Sequence, residues 1–473
     1  MIRRPLAFAL TLALLPASAF AEDLFQTYEL ARTGDPTYSG AEANRLATKE
    51  GAVQARAELL PQISASGSVS RSYSSGSSTL VDLDGDGIPE TEVDSSSNPT
   101  TRRYGAQADQ VLFNYGAISN LRSQRELSKA ADFTLDSAGD DLITRTSQAY
   151  FNVLVAMETL AAAEAQETAL KKQFDFADKR LEVGLAPITD VHEARAQYDA
   201  ARANTIVTRN ALEDAYQALA EITGRPVTAL KALPQDFQPQ LPETGGIDEW
   251  IARALDNNPS LKASEYQLRS AEADVRTARA GHLPTLSLGA TYSDSKTTVD
   301  GGVRDSLRSG GDWQGTLGVT LSVPIFSGGA TQSRVRQQIA VRDQTADQLE
   351  ANRRALIRNT RSAYQTVVAG ISEVEARRSA VTSARAAYEA SQVGLEVGTR
   401  TVLDVLQNQQ TLFNAEREYA LSRYNFLQNR LLLEQAAGSL DAEDVQDVNR
   451  LLTADASTRV VPGADDGDTT QQQ

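Results

Sequence analysis

The sequence Leu-Glu-Val-Gly occurs at residues 181–184 and again at residues 395–398. An Asp-Val pair follows each copy at the same distance, at residues 190–191 and 404–405, so both segments repeat with a shift of 214 residues. Matched segments at one shift indicate an internal duplication. Each half of the chain is therefore predicted to be one structural unit.

The duplication extends towards the amino terminus at a shift of 223 residues. At this shift the Leu-Pro pair at residues 60–61 aligns with the pair at residues 283–284. The difference between the two shifts indicates nine additional residues in the first half. Further identities at the larger shift are Pro36 with Pro259, Glu42 with Glu265 and Arg56 with Arg279.

Composition excludes several classes of function. The 473-residue chain has a formal net charge of −16, which argues against a protein that neutralises nucleic-acid phosphates. It contains no cysteine, so disulfides, thiolate metal sites and catalytic thiols are excluded. His192 and His282 are the only histidines, and no nucleophile–base set, dinucleotide fingerprint or P-loop is present. The chain is predicted not to be an enzyme.

Residues 1–21 have the features of a secretory signal peptide. Two arginines precede an apolar stretch at residues 6–15, and Ala-Phe-Ala at residues 19–21 provides a cleavage site before Glu22. The alternative, an N-terminal membrane anchor, is disfavoured because the apolar stretch is too short to span a bilayer. No later stretch has the length of a transmembrane helix, so any membrane must be crossed by strands.

Each half contains helical and strand-like patterns in the same order. Residues 24–60 and 247–283 are rich in Ala, Glu and Arg and predict helix. Short segments of alternating apolar and polar residues follow, which is typical of strands with two different faces. The strand pairs are 61–74 with 102–113, and 284–297 with 313–323.

These strands are long enough to cross an outer-membrane-type bilayer at a tilt. A soluble β-sandwich is the alternative, but its inward faces would need larger side chains than these Gly-, Ser- and Ala-rich strands offer. Aromatic residues are expected at the loop ends of the strands, where an interfacial girdle would contact outer-membrane lipid. They are Tyr73, Tyr104, Tyr292 and Trp313.

A very long helical segment follows each second strand, at residues 115–181 and 329–396. Either would be about 100 Å long if continuous. Apolar residues recur every seven positions, which predicts helices that wind around one another as in a coiled coil. The predicted fold is thus mainly α with a membrane β-barrel. Four strands cannot close a barrel, so at least a dimer or a trimer is required. The seven-residue positions in the second half are Val367, Val374, Val381, Tyr388 and Leu395.

The two repeated segments, 180–191 and 394–405, resemble the tips of the TolC family of outer-membrane efflux and secretion ducts. Val-Pro-Ile-Phe-Ser-Gly-Gly at residues 323–329 and Ile-Thr-Gly at residues 222–224 also match, and the resemblance extends to about residue 453. It implies a homotrimer in which twelve strands form an outer-membrane barrel that continues as a helical tunnel through the periplasm. It also implies a periplasmic adaptor, an inner-membrane pump or ABC exporter, and no catalytic chemistry in the duct itself.

The repeats and the resemblance together predict the organisation of the chain. Hairpin tips are expected near residues 182–190 and 396–404. The predicted segments are a signal peptide (1–21), a first repeat (22–224), a linker (225–246), a second repeat (247–438), an equatorial C-terminal segment (439–453) and a disordered acidic tail (454–473).

Each tip carries a glycine suited to end a helix, Gly184 or Gly398, and Pro187 suits the first turn of the next helix. Any antiparallel helix hairpin would need similar residues. The resemblance implies a further role, in which both tips dock onto the adaptor. The candidate docking residues are Val183, Gly184, Leu185, Val397, Gly398 and Thr399.

Arg400, Asp404 and Gln407 are spaced to lie on neighbouring turns of one helix face. In a threefold assembly Asp404 would form a ring of carboxylates of the kind that attracts cations. Thr401 and Asp404 also match a helix capping box, so a purely structural role is the alternative. The resemblance implies a periplasmic gate in which Asp190 is the partner of Arg400. Gln407 replaces a second acidic residue of the family pattern, which predicts a weaker cation trap.

The loop between the first two strands contains alternating carboxylates, at Asp82, Asp84, Asp86 and Glu90. This spacing with a following glycine is typical of a Ca²⁺ loop, although position twelve is Val93 and excludes a full EF-hand. A solvated acidic loop is the alternative. No other cofactor is expected.

The predicted function is an outer-membrane exit duct for small molecules or unfolded proteins. A passive porin is one alternative, but a porin needs only short periplasmic turns. A non-conducting envelope scaffold is another, which the two-faced strands disfavour.

Overall fold

The computed structural model describes residues 23–73, 79–81, 91–93, 98–185, 187–227, 229–240, 245–300 and 312–456. The expected signal peptide and the candidate Ca²⁺ loop lie outside the described residues, as does the tail from residue 457. None of the described helices is both long enough and apolar enough to cross a membrane.

The two halves contain the same helices in the same order. Each begins with a short and a medium helix, and each ends in a hairpin of one very long and one shorter helix. The first half contains α1 (Leu24–Gly34), α2 (Pro36–Ala57), α3 (Tyr115–Glu182) and α4 (Ile188–Thr223); the second contains α5 (Ile247–Asn257), α6 (Pro259–Arg279), α7 (Ala330–Glu396) and α8 (Val402–Ala437), followed by α9 (Ala442–Leu451).

Four long strands form one antiparallel sheet, in the order β1 (Gln62–Arg71), β4 (Asn98–Phe113), β6 (Thr285–Asp300) and β7 (Gln314–Ser322). Strands β4 and β6 are longer than expected, because each continues towards the loops beyond its outer partner. Among the described strands, β1 and β7 each pair on one side only, so the sheet of one chain is open. The strands β2 (Thr79–Val81) and β3 (Thr91–Val93) form a separate short pair.

One compact unit comprises residues 43–134 and 260–352 and contains this sheet. The register aligns Ile63, Ala108, Ala290 and Leu317 in one row across the four strands. Since side chains on one face recur every second residue, the apolar positions inferred from alternation share that face. The opposite face is polar, as expected for strands that separate two environments.

The other compact unit comprises the rest of the chain, residues 1–42, 135–259 and 353–473. Its largest core includes Trp250, Tyr150 and Tyr424, which are almost completely buried. Val367 and Val374 of the seven-residue pattern lie in the same core, at 0% and 2% exposure, so this part of the predicted helix seam is confirmed.

A short strand pair in this unit was not expected from the sequence. Lys231–Ala232 (β5) lies in the segment predicted to be a linker and pairs with Ala454–Asp455 (β8), at the start of the predicted disordered tail. Disorder from residue 454 is therefore wrong for the first residues of that segment. The pairing depends on backbone hydrogen bonds, for which two-residue strands leave no side-chain pattern.

Candidate functional site

The two hairpin tips have the same backbone geometry. Gly184 and Gly398 have φ angles of 71° and 78°, in the left-handed region that favours glycine. At the first tip, Leu185 N donates to Arg180 O at 2.8 Å, and at the second, Thr399 N donates to Gly394 O at 2.8 Å. A bond that spans five residues across a left-handed glycine is a Schellman helix end. The duplicated tetrapeptide thus forms the same helix terminus twice.

The apolar side chains at both tips are exposed in the chain. Val183 and Val397 are each 68% exposed, and so is Leu185. A Cβ atom added to either tip glycine would meet nothing within 4 Å, so the backbone conformation alone requires glycine there. The six candidate docking residues are therefore accessible, while their docking role stays a prediction.

Helices α3 and α4 are held together behind the first tip by one small apolar core. Ala177 of α3 packs with Val191 and Ala194 of α4, and the rings of Phe174 and Tyr198 stack with centroids 6.3 Å apart. These contacts hold α3 against α4 behind the first tip.

A second cluster joins the two hairpins. Leu170 of α3 and Ala201 of α4 are buried with Leu406 of α8. The side chains of Gln166 and Gln410 hydrogen-bond nearby. The two hairpins therefore pack together about three to five turns from the first tip and about one to two turns from the second.

The second tip has a capping box that the first tip lacks. Asp404 N donates to Thr401 Oγ1 at 3.2 Å, and Thr401 N donates to Asp404 Oδ2 at 2.9 Å. These hydrogen bonds, with the nearby Arg400 guanidinium, hold the pKa of the Asp404 carboxyl below its usual range. The capping role of Asp404 is thus present, and its carboxylate is poised to be ionised.

Arg400 does not lie on the helix face predicted from its spacing. Helix α8 begins at Val402 with Thr401 as its N-cap, so Arg400 belongs to the turn before the helix. The prediction that Arg400, Asp404 and Gln407 share one helical face is wrong for Arg400, because Thr401 caps the start of the helix and Arg400 precedes it. Its side chain lies over Gly394, where an added Cβ would approach Arg400 Cγ to 2.6 Å.

Asp190 lies in the first turn of α4, after Pro187 as the N-cap. Within the described part of one chain, neither a hydrogen bond nor an ion pair joins Asp190 to Arg400. The Asp190 carboxylate instead accepts a long hydrogen bond from Thr189 Oγ1 at 3.4 Å. Gln407 is exposed on α8. The gate formed by these residues therefore stays a prediction about the assembled protein.

The sequence predicts Tyr104 and Tyr292 at the loop ends of their strands, but both lie within the strands, since β4 and β6 continue past them. The register places Tyr104 and Tyr292 in adjacent rows of the apolar face, opposite Gly67 and Gly315 respectively. The ring of Trp313 stacks on Tyr292 with centroids 4.8 Å apart. The strands continue past the aromatic residues, which alternation alone could not reveal. The interfacial girdle itself stays a prediction.

A buried ion pair escaped the sequence analysis. Arg423 of α8, whose side chain is 3% exposed, donates to Glu158 Oε2 of α3 at 2.8 Å, and to Pro234 O at 3.1 Å. Tyr424 Oη donates to the same carboxylate at 3.1 Å. An arginine within a helix normally indicates a solvated face, so only its partners reveal this role.

Metal ligands do not cluster in the described ranges: no group of three or more His, Cys, Asp or Glu side chains there could hold an ion. The four carboxylates of the candidate Ca²⁺ loop lie in residues 82–90, outside those ranges.

Comparison with known proteins agrees with this geometry. The pattern of the family described as "Outer membrane efflux protein" matches residues 27–225 and 250–439. Outer membrane protein TolC of Escherichia coli strain K12 is 34% identical over 463 residues, covering 96% of this chain and 90% of that protein. The alkaline protease secretion protein AprF of Pseudomonas aeruginosa is 28% identical over 441 residues, covering 93% of this chain and 89% of that protein.

Solved structures show the same fold at lower identity. The CmeC outer membrane channel of Campylobacter jejuni has a TM-score of 0.73 at 18% identity, covering 92% of this chain and 90% of that one. The fold class, mainly helical with a membrane β-barrel, is thereby confirmed. The chain belongs to the outer membrane efflux protein family and is an outer-membrane duct with a helical tunnel in the periplasm.

Proposed function

We propose that three copies of this chain form the exit duct of a tripartite system, with a periplasmic adaptor and an inner-membrane pump or ABC exporter. The open sheet carries the proposal: β1 and β7 are single-sided edges, and backbone groups at such edges must be paired in lipid. Three sheets of four strands would close a twelve-stranded barrel. The 68-residue helix α3, about 100 Å long, gives the duct its periplasmic reach.

The cargo is expected to be small toxic molecules, secreted proteins or both. The related AprF and PrtF proteins are named for protease secretion, and BepC is named for efflux. Deletion of the gene followed by quantitative proteomics of the culture supernatant tests the choice. Loss of a few secreted proteins would support secretion, whereas an unchanged secretome with new drug and detergent sensitivity would support efflux.

The tips are proposed to dock onto the adaptor through the exposed apolar residues beside Gly184 and Gly398. A photo-crosslinking residue at Val183 or Val397 tests this, with one at Ile206, an exposed residue far from the tip on α4, as the control. Adaptor crosslinks confined to the tips would support the tripartite duct. Absence of adaptor crosslinks at either tip would favour a passive porin.

The closed state is proposed to depend on a link between Asp190 and Arg400 of the assembled trimer. Replacing either residue by alanine should raise the single-channel conductance of the closed duct, because the link no longer holds the tips together. Planar-bilayer recordings of D190A and R400A measure this directly. Unchanged conductance in both variants would refute the link.

A further inference from the structure

Two cations lie directly opposite each other on the apolar face of the sheet. Arg102 of β4 pairs in register with Lys296 of β6. Side chains directly opposite in an antiparallel pair have Cβ atoms about 5 Å apart, and like charges there are destabilising. Both residues are exposed. A feature that costs stability on this face calls for an explanation.

No described carboxylate neutralises this pair. Neither Arg102 nor Lys296 forms an ion pair within the part of the chain that the structure describes. The nearest acid on the same face is Asp294, opposite Tyr104, and its Oδ1 atom has no hydrogen-bond partner among the described residues. One carboxylate could offset only one of the two charges. Arg71 adds a further cation on this face, with its guanidinium 5.5 Å from the centroid of the Tyr73 ring.

The position of the pair relates it to the membrane. On this face Tyr104 lies one row before the pair and Tyr292 lies two rows before it, while Val69 of β1 lies opposite Arg102 in the same row. Arg102 therefore lies about 7 Å, and Lys296 about 14 Å, beyond the tyrosine of its own strand towards the loops. Aromatic girdle residues lie at the level of the lipid headgroups, so we expect the pair to lie at or just beyond that level. The loop end of a duct whose helices extend into the periplasm faces the outer leaflet.

We propose that Arg102 and Lys296 bind the phosphate of a phosphorylated glycolipid in the outer leaflet of the outer membrane. One phosphate between the two side chains would accept charge-assisted hydrogen bonds from both and remove their mutual repulsion. The proposed ligand of the pair is therefore a lipid phosphate. Binding orients the barrel in the outer leaflet, a role distinct from conduction.

The test uses the full-length purified protein in detergent, with diphosphoryl lipid A, monophosphoryl lipid A and phosphatidylcholine as probes. Native mass spectrometry measures how much lipid each variant retains. The variant R102Q/K296Q removes both charges, and R103Q removes the neighbouring arginine on the opposite, polar face. Loss of both charge-assisted bonds should reduce retention of diphosphoryl lipid A about tenfold or more, while R103Q retains it as the native protein does.

Thermal unfolding of single variants provides a second readout, which can still be used if the double variant does not fold. In the lipid-free protein, K296Q should raise the melting temperature because it removes the like-charge repulsion, and it should reduce the rise produced by diphosphoryl lipid A. R102K, which keeps the charge, should preserve that rise.

Three results would overturn the proposal. In the first, R102Q/K296Q retains as much diphosphoryl lipid A as the native protein does. In the second, R103Q loses as much of this lipid as R102Q/K296Q does. In the third, the native protein retains as much phosphatidylcholine as diphosphoryl lipid A. Displacement of lipid A by millimolar inorganic phosphate would show a site for free phosphate and would likewise contradict a lipid site. Single-channel conductance of R102Q/K296Q checks that the duct itself is intact.

Discussion

At the residue scale, backbone conformation constrains the tips more than side-chain packing does. Gly184 and Gly398 have open space around them, yet both adopt a left-handed conformation. An L-residue with a side chain is destabilised by about 1–2 kcal/mol in the left-handed conformation. Glycine at these positions is therefore explained by the helix end alone, before any docking role is considered.

Replacing Gly184 or Gly398 by alanine should therefore destabilise the corresponding tip by about 1 kcal/mol. Hydrogen exchange of the tip amides measures the effect as faster local opening. Gly40 is the matched control, because it lies within helix α2 with open space around it. G40A should leave exchange unchanged or slow it, since alanine favours helix. Faster exchange in G40A as well would contradict the assignment to left-handed strain.

Asp140 is a second residue whose environment predicts a measurable effect. Burial, reinforced by the neighbouring charges of Asp141 and Asp136, raises the pKa of Asp140 to about 7. A carboxyl whose pKa is raised on folding favours the folded state at low pH. Its contribution therefore declines as pH rises from about 4 towards 7 and stays low above that.

Asp140→Asn should consequently stabilise the protein at pH 8 by roughly 1–2 kcal/mol, since solvent screens part of the effect, and should do little at pH 4. Thermal melts of both proteins across this range measure the difference. D175N, at an exposed position on the same helix, is the control and should show no such trend. A gain that is equal at pH 4 and pH 8 would exclude titration as its cause.

At the element scale, Asp404 combines a helix cap with a charge, and two substitutions separate these roles. T401A and D404N should each weaken the capping box and loosen the start of α8 by about 1 kcal/mol. Only D404N removes a carboxylate, so only D404N should lower the cation selectivity of the duct. Reversal potentials in a salt gradient measure selectivity, and an equal change in T401A would show that capping alone matters.

The buried pair between α3 and α8 should contribute much more to stability than a surface pair. Glu158→Gln leaves Arg423 buried without its counter-charge and should destabilise the fold by about 3 kcal/mol. Glu164→Gln is the matched control, because Glu164 of α3 contacts Arg209 of α4 at 2.7 Å with both side chains exposed. The control should cost less than about 1 kcal/mol.

Chemical denaturation of the purified protein compares these two variants. Similar losses in E158Q and E164Q would show that the burial of Arg423 has little energetic effect. The comparison is informative because both acids lie on the same helix and both accept from an arginine of a neighbouring helix.

At the scale of the whole molecule, the two sheet faces require different environments. Val319 and Leu317 lie on the apolar face and are 62% and 74% exposed in the single chain. Val319→Lys places a charge where lipid is expected and should cost about 2–4 kcal/mol per chain. Thr320→Lys, on the polar face of the same strand, is the control. Recovery of heat-modifiable oligomer from outer membranes should fall in V319K and persist in T320K.

If this face contacted water and not lipid, the two variants should be recovered equally. Equal recovery of V319K and T320K would mean that neither face of β7 contacts lipid. The prediction therefore tests the assignment of faces independently of any partner or cargo.

The sequence by itself determined the duplication, the paired helices, the strand pairs and the family, because each depends on patterns repeated along the chain. Heptads place Val367 and Val374 in the core, and alternation separates the two faces of β7. The glycine-ended tips and the capping box at Thr401 are local as well. Physical signals confined to a few turns of backbone are readable without the fold.

Only the tertiary structure decided which residues meet across the chain. The ion pair of Arg423 with Glu158 joins residues 265 positions apart, and the register that sets Arg102 against Lys296 joins two halves of the duplication. The strand pair of β5 with β8 was likewise unpredictable from spacing. Such features depend on which residues become neighbours when the chain folds. The local sequence pattern around either partner does not identify the other.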